Sequence, residues 1–169
     1  MSEIAPSGAE EGVPMIAAGE RAPRIEAPDQ DGRPVRLSDY EGRRVVLYFY
    51  PKDHTAGCAN QAAGFNGRLG EIEALGARLL GVSRDSVRSH ARFAADLGLR
   101  FPILSDPDLS ALNAYGVVGE KKMYGKTVTG VLRTTLVIGP DGIVEKVFEK
   151  VRPADSAGDV IEYLASHPA

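Results

Sequence analysis

The sequence has 169 residues, of which 43% are hydrophobic and 25% are charged, and this balance is typical of one compact globular domain rather than a disordered chain. The formal net charge is −3, and there is no basic run with interleaved aromatic residues, so we expect no nucleic-acid partner. No stretch approaches the roughly 20 apolar residues of a membrane helix, so we expect no membrane partner either.

Residues 1–20 are rich in Gly, Ala, Glu, Ser and Pro and show no hydrophobic periodicity. This composition predicts a flexible N-terminal extension, followed by one folded domain over residues 21–169. The segment also lacks a basic start leading into an apolar stretch, which is the pattern of a secretion signal. We therefore expect a cytoplasmic, reducing location.

Two short segments at Arg24–Ala27 and Pro34–Leu37 flank the turn Asp29-Gln30-Asp31-Gly32, and this arrangement predicts an N-terminal β-hairpin. Val45–Tyr50 (VVLYFY) is a continuous apolar run without alternation, as expected for a central strand that is covered on both faces. Together they place a small hairpin before the main sheet.

Apolar residues recur every three or four positions after the loop Pro51–Gly57, and Gly76 follows as a stop. This spacing predicts one amphipathic helix from about Cys58 to Leu75. The later elements are predicted in chain order as follows: a strand at Arg78–Ser83, a helix capped by Asp85 or Ser86 and closed at Gly98, a strand at Phe101–Leu104, a helix at Pro107–Tyr115, a loop at Gly116–Lys126, a hairpin of Leu132–Ile138 and Ile143–Lys150, and a final helix at Ala154–Ser166.

The alternation of strands and helices predicts parallel β-α-β pairing in the first half, joined to an antiparallel hairpin and a last helix. The fold class is therefore α/β, with a central mixed β-sheet flanked by helices. A thioredoxin-like fold with an N-terminal β-hairpin fits this order of elements.

Cys58 is the only cysteine, which excludes an intrachain disulfide and a multi-cysteine metal site. Taken alone, a single cysteine is more often a small buried apolar residue than a reactive one. Cys58, however, follows a buried strand and opens a helix. The unpaired N–H groups and positive dipole of a helix N-terminus favour a thiolate, so this position indicates a reactive thiol.

Pro51, Thr55 and Cys58 match the P-x-x-x-T-x-x-C signature of peroxiredoxins, and the surrounding VVLYFYPKDHTAGC resembles the bacterioferritin-comigratory or peroxiredoxin Q branch. The likeness runs from about Glu20 to Leu164. It implies a thiol-dependent peroxidase that reduces hydrogen peroxide and organic hydroperoxides without a metal or prosthetic group.

The resemblance implies that Cys58 attacks the peroxide and becomes a sulfenic acid. Thr55 would hydrogen-bond the thiolate and the peroxide, and Pro51 would pack over the sulfur and limit water access. Arg133, from a facing strand, would favour the thiolate and stabilise charge on the leaving oxygen. Each role has a simpler alternative, since Thr55 is also a plausible helix cap and Pro51 a strand terminator.

Two further contributions follow from the same resemblance. The backbone N–H groups of Gly57 and Cys58 would donate hydrogen bonds to the peroxide. Gln61 would orient Arg133 through a hydrogen bond, or else is a solvated residue of the first helical turn. A purely structural interpretation fits Arg133 less well than the other residues, because a single charge within an apolar strand needs a partner.

The sequence departs from the family where relatives carry a second, resolving cysteine. Those positions are Ala63 and a residue near Ala94, and Ala56 replaces the usual proline. We therefore expect a one-cysteine mechanism with an external reductant, namely thioredoxin, glutaredoxin or a low-molecular-weight thiol. If Ala63 were engineered, the chain would instead be a resolving-cysteine mutant of a two-cysteine enzyme.

Two functions of other classes remain open from the sequence. One is a peroxide sensor that relays oxidation to a partner protein, which shares the first chemical step. The other is a thioredoxin-fold binding module without turnover, which the presence of Thr55 and Arg133 disfavours. The branch resemblance implies a monomer or a weak homodimer.

Overall fold

A computed structural model describes residues 14–169, apart from the side chains of residues 121–123 and 128. Its main sheet has five strands in the order β5-β4-β3-β8-β9. Their bounds are β3 Arg44–Phe49, β4 Ala77–Ser83, β5 Ile103–Ser105, β8 Thr134–Ile138 and β9 Val144–Phe148. β3 pairs in parallel with β4, and β4 with β5, whereas β3–β8 and β8–β9 are antiparallel. The mixed sheet predicted from the sequence is confirmed.

Five α-helices and two short 3₁₀ turns surround the strands within the described residues. The helices are α1 Ala56–Gly67, α2 Leu69–Ala74, α3 Val87–Leu97, α4 Ser110–Ala114 and α5 Ser156–Ser166, and the 3₁₀ turns are Leu37–Tyr40 and Pro153–Asp155. None of the helices in this part of the chain is long and apolar enough to cross a membrane.

The apolar run of β3 lies at the centre of the molecule, and all six residues of the strand are buried. Because side chains alternate across a strand, Val46 and Tyr48 face one side and Val45 and Leu47 face the other. α1, α2, α3 and α5 cover the first face, whereas α4 and the N-terminal segments cover the second. The strand is therefore covered on both faces, as its sequence predicts.

The predicted N-terminal hairpin is present as β1 Glu26–Pro28 and β2 Pro34–Arg36. Of the predicted extension, residues 1–13 lie outside the described residues. Ile16 donates a backbone hydrogen bond to the carbonyl of Tyr115, and Gly19 donates one to the carbonyl of Val144. The boundary at residue 20 stays a prediction.

The single helix predicted from Cys58 to Leu75 is two helices, and it begins two residues earlier, at Ala56. Arg68 separates them, with φ −118° and ψ 18°, outside the helical range. The apolar spacing passes through this break unchanged, because Phe65, Leu69 and Ile72 all pack on the same face of the sheet. Periodicity alone therefore could not reveal it.

The loop predicted over Gly116–Lys126 is wrong, because it contains most of an antiparallel hairpin. Its strands are β6 Val118–Met123 and β7 Lys126–Val131. The turn residues Tyr124 and Gly125 both have positive φ, of 55° and 79°, which is the conformation of a tight hairpin turn. The three lysines and three glycines of the segment hid the strand pattern.

Other boundaries also differ from the prediction. The helix expected at Pro107–Tyr115 is limited to Ser110–Ala114, because Leu109 has a positive φ of 64°. The last helix begins at Ser156 rather than Ala154, after a 3₁₀ turn. Arg133 lies in the connection between β7 and β8 and not within a strand, so its side chain is free of the sheet.

Candidate active site

Cys58 lies in the first turn of α1, at the end of the sheet where β3 finishes. Thr55 is the N-cap residue, with an extended backbone (φ −91°, ψ 152°), so Cys58 is the third helical residue. Its side chain is only 1% exposed and packs with Tyr48 and Tyr50. The thiol is therefore close to the positive end of the helix dipole and shielded from bulk water.

Arg133 contacts the sulfur directly. Its Nη2 lies 3.4 Å from Cys58 Sγ, and its Nη1 donates a 2.6 Å hydrogen bond to Gln61 Oε1. A guanidinium at this distance favours a thiolate by charge and by hydrogen bonding. The structure thus brings together Cys58, Gln61 and Arg133, which the sequence singled out. The first two lie in α1, and Arg133 lies in the connection between β7 and β8.

Gln61 is fully buried and links the guanidinium to the start of α5. Its Nε2 donates to Ser156 Oγ at 3.0 Å, and Ser156 Oγ donates to the carbonyl of Arg152 at 3.1 Å. This chain of hydrogen bonds fixes the side-chain amide, and the amide fixes one edge of Arg133. Sequence reasoning did not identify Ser156, for which no motif gives a signal.

Gly57 lies beneath the guanidinium. A Cβ at this position would be 3.3 Å from Arg133 Nη2 and 3.4 Å from Pro153 Cγ. The absence of a side chain therefore lets the arginine approach the helix N-terminus. The N–H groups of Gly57 and Cys58 are among the first of α1 and have no intrahelical acceptor, so both are able to bind an incoming oxygen.

Thr55 and Pro51 occupy the loop before the helix. The Thr55 hydroxyl donates to the carbonyl of Lys52 at 2.9 Å, and it makes no capping bond to α1. Its hydroxyl hydrogen is thus engaged within the loop, which leaves the oxygen as an acceptor. Pro51 is half-buried and lies two residues after the end of β3. Among the described residues no hydrogen bond joins Thr55 to Cys58.

Tyr48 and Tyr50 form the aromatic wall behind the sulfur. Their rings stack with a centroid distance of 5.4 Å, and both are 1% exposed. Burial, together with the nearby Cys58 and Asp53, raises the pKa of Tyr48 strongly, so its phenol stays neutral. The two rings are core residues, as the apolar run Val45–Tyr50 predicts.

A buried polar cluster beneath the loop escaped the sequence analysis. Asp53 accepts hydrogen bonds from Tyr50 Oη at 2.7 Å, from Ser89 Oγ at 2.8 Å and from His90 Nδ1 at 2.7 Å. The only sequence signal was His90, which occupies an apolar position of α3 beside Phe93. A single histidine in such a position is too weak a pattern to identify a partner.

Asp53, Asp85 and His90 present atoms close enough together to ligate a metal ion. The donors, however, already satisfy one another. His90 uses both ring nitrogens, on Asp53 and on the carbonyl of Leu104 at 3.0 Å. Asp85 accepts from the backbone N–H of Asp53 and from Ser83 Oγ. The arrangement is therefore a closed hydrogen-bond network.

Neither predicted resolving position offers a thiol, since residue 63 is an exposed alanine and residue 94 a buried one. Cys58 is the only cysteine of the sequence, so an intramolecular disulfide is excluded. Any oxidised form of Cys58 must be resolved by another molecule.

Comparisons with known proteins agree on one family. The sequence profile of the AhpC/TSA family matches residues 18–147. Peroxiredoxin Bcp of Escherichia coli is 40% identical over 152 residues, which cover 90% of this chain and 97% of that protein.

Two solved structures show the same relationship. The Xanthomonas campestris bacterioferritin comigratory protein, described as having alkyl peroxide reduction activity, superposes with a TM-score of 0.81 at 40% identity, covering 86% of this chain and 92% of that one. A mutant of peroxiredoxin Q from Xylella fastidiosa superposes with a TM-score of 0.87 at 36% identity, covering 94% of this chain and 100% of that one.

Proposed function

This chain belongs to the AhpC/TSA family and is a thiol-dependent peroxidase, and on that premise we propose that Cys58 is its peroxidatic residue and works by a one-cysteine cycle. The observation that carries the assignment is the 3.4 Å contact between Arg133 Nη2 and Cys58 Sγ at the N-terminus of α1. A buried thiol beside a fixed cation is prepared for nucleophilic attack.

In the first half of the cycle, the Cys58 thiolate attacks one peroxide oxygen. An S–O bond forms as the O–O bond breaks, so the sulfur is oxidised to sulfenic acid and the peroxide is reduced. The leaving oxygen departs as an alkoxide or hydroxide and takes a proton from solvent. The N–H groups of Gly57 and Cys58 and the Arg133 guanidinium stabilise the charge that moves onto this oxygen.

Gln61 is a positioning residue in this proposal, because it acts through Arg133. With one edge of the guanidinium held by Gln61, the other edge is directed at the sulfur. Thr55 has its hydrogen on Lys52, so its oxygen accepts the hydrogen of the peroxide O–H. Pro51 has no N–H to attract water and covers the loop side of the site.

In the second half, an external thiol attacks the sulfenic acid, a mixed disulfide forms and water leaves. A second thiol then breaks the mixed disulfide, releasing the Cys58 thiol and the oxidised reductant. We propose a thioredoxin, a glutaredoxin or a low-molecular-weight thiol as the reductant, acting on a monomer or a weak homodimer. A lone thiol that must return to its reduced form suits the reducing cytoplasm.

Hydroperoxide consumption with excess dithiothreitol tests the proposal. Sustained turnover is expected for the unaltered protein and for Ala63→Ser, which leaves every proposed group in place. Cys58→Ser should show no consumption above the background reaction. Turnover that persists in Cys58→Ser would refute the assignment.

A further inference from the structure

A buried carboxylate–imidazole pair lies at the loop that precedes Cys58. Asp53 is 3% exposed and His90 is fully buried, with 2.7 Å between Asp53 Oδ2 and His90 Nδ1. No step proposed for the peroxidase cycle uses either residue. Buried charges are rare unless they are paired, so their retention next to Cys58 needs a reason.

The two residues form a fully hydrogen-bonded pair. Both ring nitrogens of His90 face oxygen atoms, Oδ2 of Asp53 and the carbonyl oxygen of Leu104. Burial by itself would raise the pKa of Asp53, but the hydrogen bond and charge of His90, with the hydroxyls of Tyr50 and Ser89, lower it.

The pair ties the catalytic loop to three elements of the fold. The carboxylate of Asp53 is bound by Tyr50 at the end of β3 and by Ser89 and His90 of α3, while His90 also binds the backbone of β5. The backbone N–H of Asp53 donates to Asp85 after β4 at 2.9 Å. Asp53 is thus fixed through both its side chain and its backbone.

The remainder of the loop is held by exposed contacts, which are weaker than buried ones: His54 Nε2 lies 3.2 Å from Asp96 Oδ2 of α3, and the Thr55 hydroxyl donates to the carbonyl of Lys52. It has no regular structure, and His54 has the left-handed φ of 65°, which is unfavourable for a residue with a side chain. His54 and Thr55 are both exposed, and α1 begins directly after them. Asp53 is thus the one buried side chain among residues 51–55, and it anchors the segment that leads into Cys58.

Access to Cys58 makes this anchor relevant to catalysis. A peroxide is small, but the external thiol that resolves the sulfenic acid must bring its sulfur to a side chain that is 1% exposed. The start of α1 has to move for that contact. The loop must therefore be held for the first half of the cycle and released for the second.

We propose that Asp53 and His90 are positioning residues for Cys58: their buried hydrogen-bonded pair holds the loop of residues 51–55, keeps the sulfur against Arg133, and sets how often the site opens to a bulky thiol reagent. The proposal rests on Cys58 being the peroxidatic residue.

Two rates measured on the intact protein test this assignment. In Asp53→Asn, labelling of Cys58 by a bulky maleimide is expected to rise by about tenfold or more, because an amide cannot accept all three hydrogen bonds that the buried carboxylate receives. The second-order rate constant with hydrogen peroxide is expected to fall in the same variant, because the sulfur spends less time against Arg133. Global destabilisation that leaves the protein mostly folded would accelerate labelling through its small unfolded fraction, but it would leave the peroxide rate constant of the folded majority almost unchanged.

Glu145→Gln is the matched control. Glu145 pairs with Arg44, which is 4% exposed, at the other end of β3, so this variant also disrupts a shielded side-chain pair. It should lower global stability while leaving both rates at Cys58 unchanged. Equal acceleration of labelling in Glu145→Gln would overturn the proposal, because the effect would then be general.

Two further variants keep the test decisive if Asp53→Asn folds poorly. Ser89→Ala removes one of the three side-chain bonds to Asp53 and should raise labelling by a smaller factor. In a double-mutant cycle, His90→Asn should have less effect on labelling in the Asp53→Asn background than alone. Unchanged labelling in Ser89→Ala and additive effects in the cycle would overturn the proposal.

Maleimide labelling does not require peroxide chemistry, so failure of the proposed peroxidase function is seen separately in the unaltered protein.

Discussion

Arg133 makes two contacts that no other side chain could make together. Its planar guanidinium reaches Cys58 Sγ with one nitrogen and Gln61 Oε1 with another. A lysine ammonium is a single point charge on a flexible stem, so it would have to leave one of these partners. The geometry of the guanidinium is therefore as important as its charge.

Replacement of Arg133 by lysine tests this distinction. We expect the second-order rate constant with hydroperoxide to fall by about tenfold in Arg133→Lys and by about a hundredfold or more in Arg133→Ala, as for loss of an electrostatic stabiliser. Stopped-flow peroxide reduction measures both. Arg88→Lys, on the exposed side of α3, is the control. Equal rates for the lysine variant and the unaltered protein would contradict the two-contact role.

Gln61 allows a finer test of positioning. Gln61→Glu keeps an oxygen acceptor for Arg133 and should retain activity within a few-fold, whereas Gln61→Met removes both the acceptor for Arg133 Nη1 and the donor to Ser156 Oγ. We expect Gln61→Met to lose peroxidase activity and about 1–3 kcal/mol of unfolding free energy. Peroxide kinetics and urea unfolding measure the two effects. Full activity in Gln61→Met would show that Arg133 needs no support.

The sequence predicts well those strands and helices whose pattern of apolar residues matches the side chains that are buried. β3 is a continuous apolar run and is covered on both faces, and α3 is capped by Ser86 at one end and by Gly98 at the other. The helix break at Arg68 was missed, because the spacing of apolar residues does not change there. The β6–β7 hairpin was missed, because its charged residues mask the strand pattern.

The same reasoning explains how much of the site was visible in the sequence. Cys58 was predicted from its place after a strand, and Arg133 from a family resemblance. The His90 partnership was not predictable, because it depends on α3 crossing beside the loop 37 positions earlier in the chain. Long-range side-chain pairs of this kind leave no local pattern.

Substitution of Gly81 tests how closely β4 packs behind the active site. A Cβ there would lie 2.9 Å from Tyr48 Cε1 and 3.1 Å from Ile103 Cγ2. We expect Gly81→Ala to lower the free energy of unfolding by about 1–3 kcal/mol, the usual cost of overpacking a core. Gly64→Ala, in α1 with open space around it, is the control and should be neutral or slightly stabilising. A neutral Gly81→Ala in urea unfolding would disprove this tight packing.

At the scale of the whole molecule, Asp53 links the loop to the pH dependence of stability. Its pKa is lowered from 3.8 in the folded protein, so the stability it contributes is present above that value and is lost as pH falls through the folded pKa. The unfolding free energy of Asp53→Asn should therefore be lower than that of the unaltered protein at pH 6, and the two should converge in acid.

Urea unfolding at a series of pH values measures this convergence. Asp31→Asn, at an exposed position, serves as the control and should follow the unaltered protein throughout. Parallel curves for Asp53→Asn and the unaltered protein down to acid pH would contradict a specific stabilisation by the buried carboxylate.

The molecule as a whole places one thiol at the meeting point of a buried strand, a helix N-terminus and a fixed guanidinium, and gives it no second cysteine. The first half of the cycle is thus contained within this chain, whereas the second half requires another molecule. Without a reductant, the reaction should stop at the oxidised form of Cys58.

The most direct test is the intact mass of the protein after one equivalent of hydroperoxide, with no thiol present, followed by peptide mapping. A gain of one oxygen atom located at Cys58, and no gain at the same position in Cys58→Ser, is the predicted result. An unchanged mass, or oxygen found on the methionines in both proteins and never on Cys58, would contradict the account.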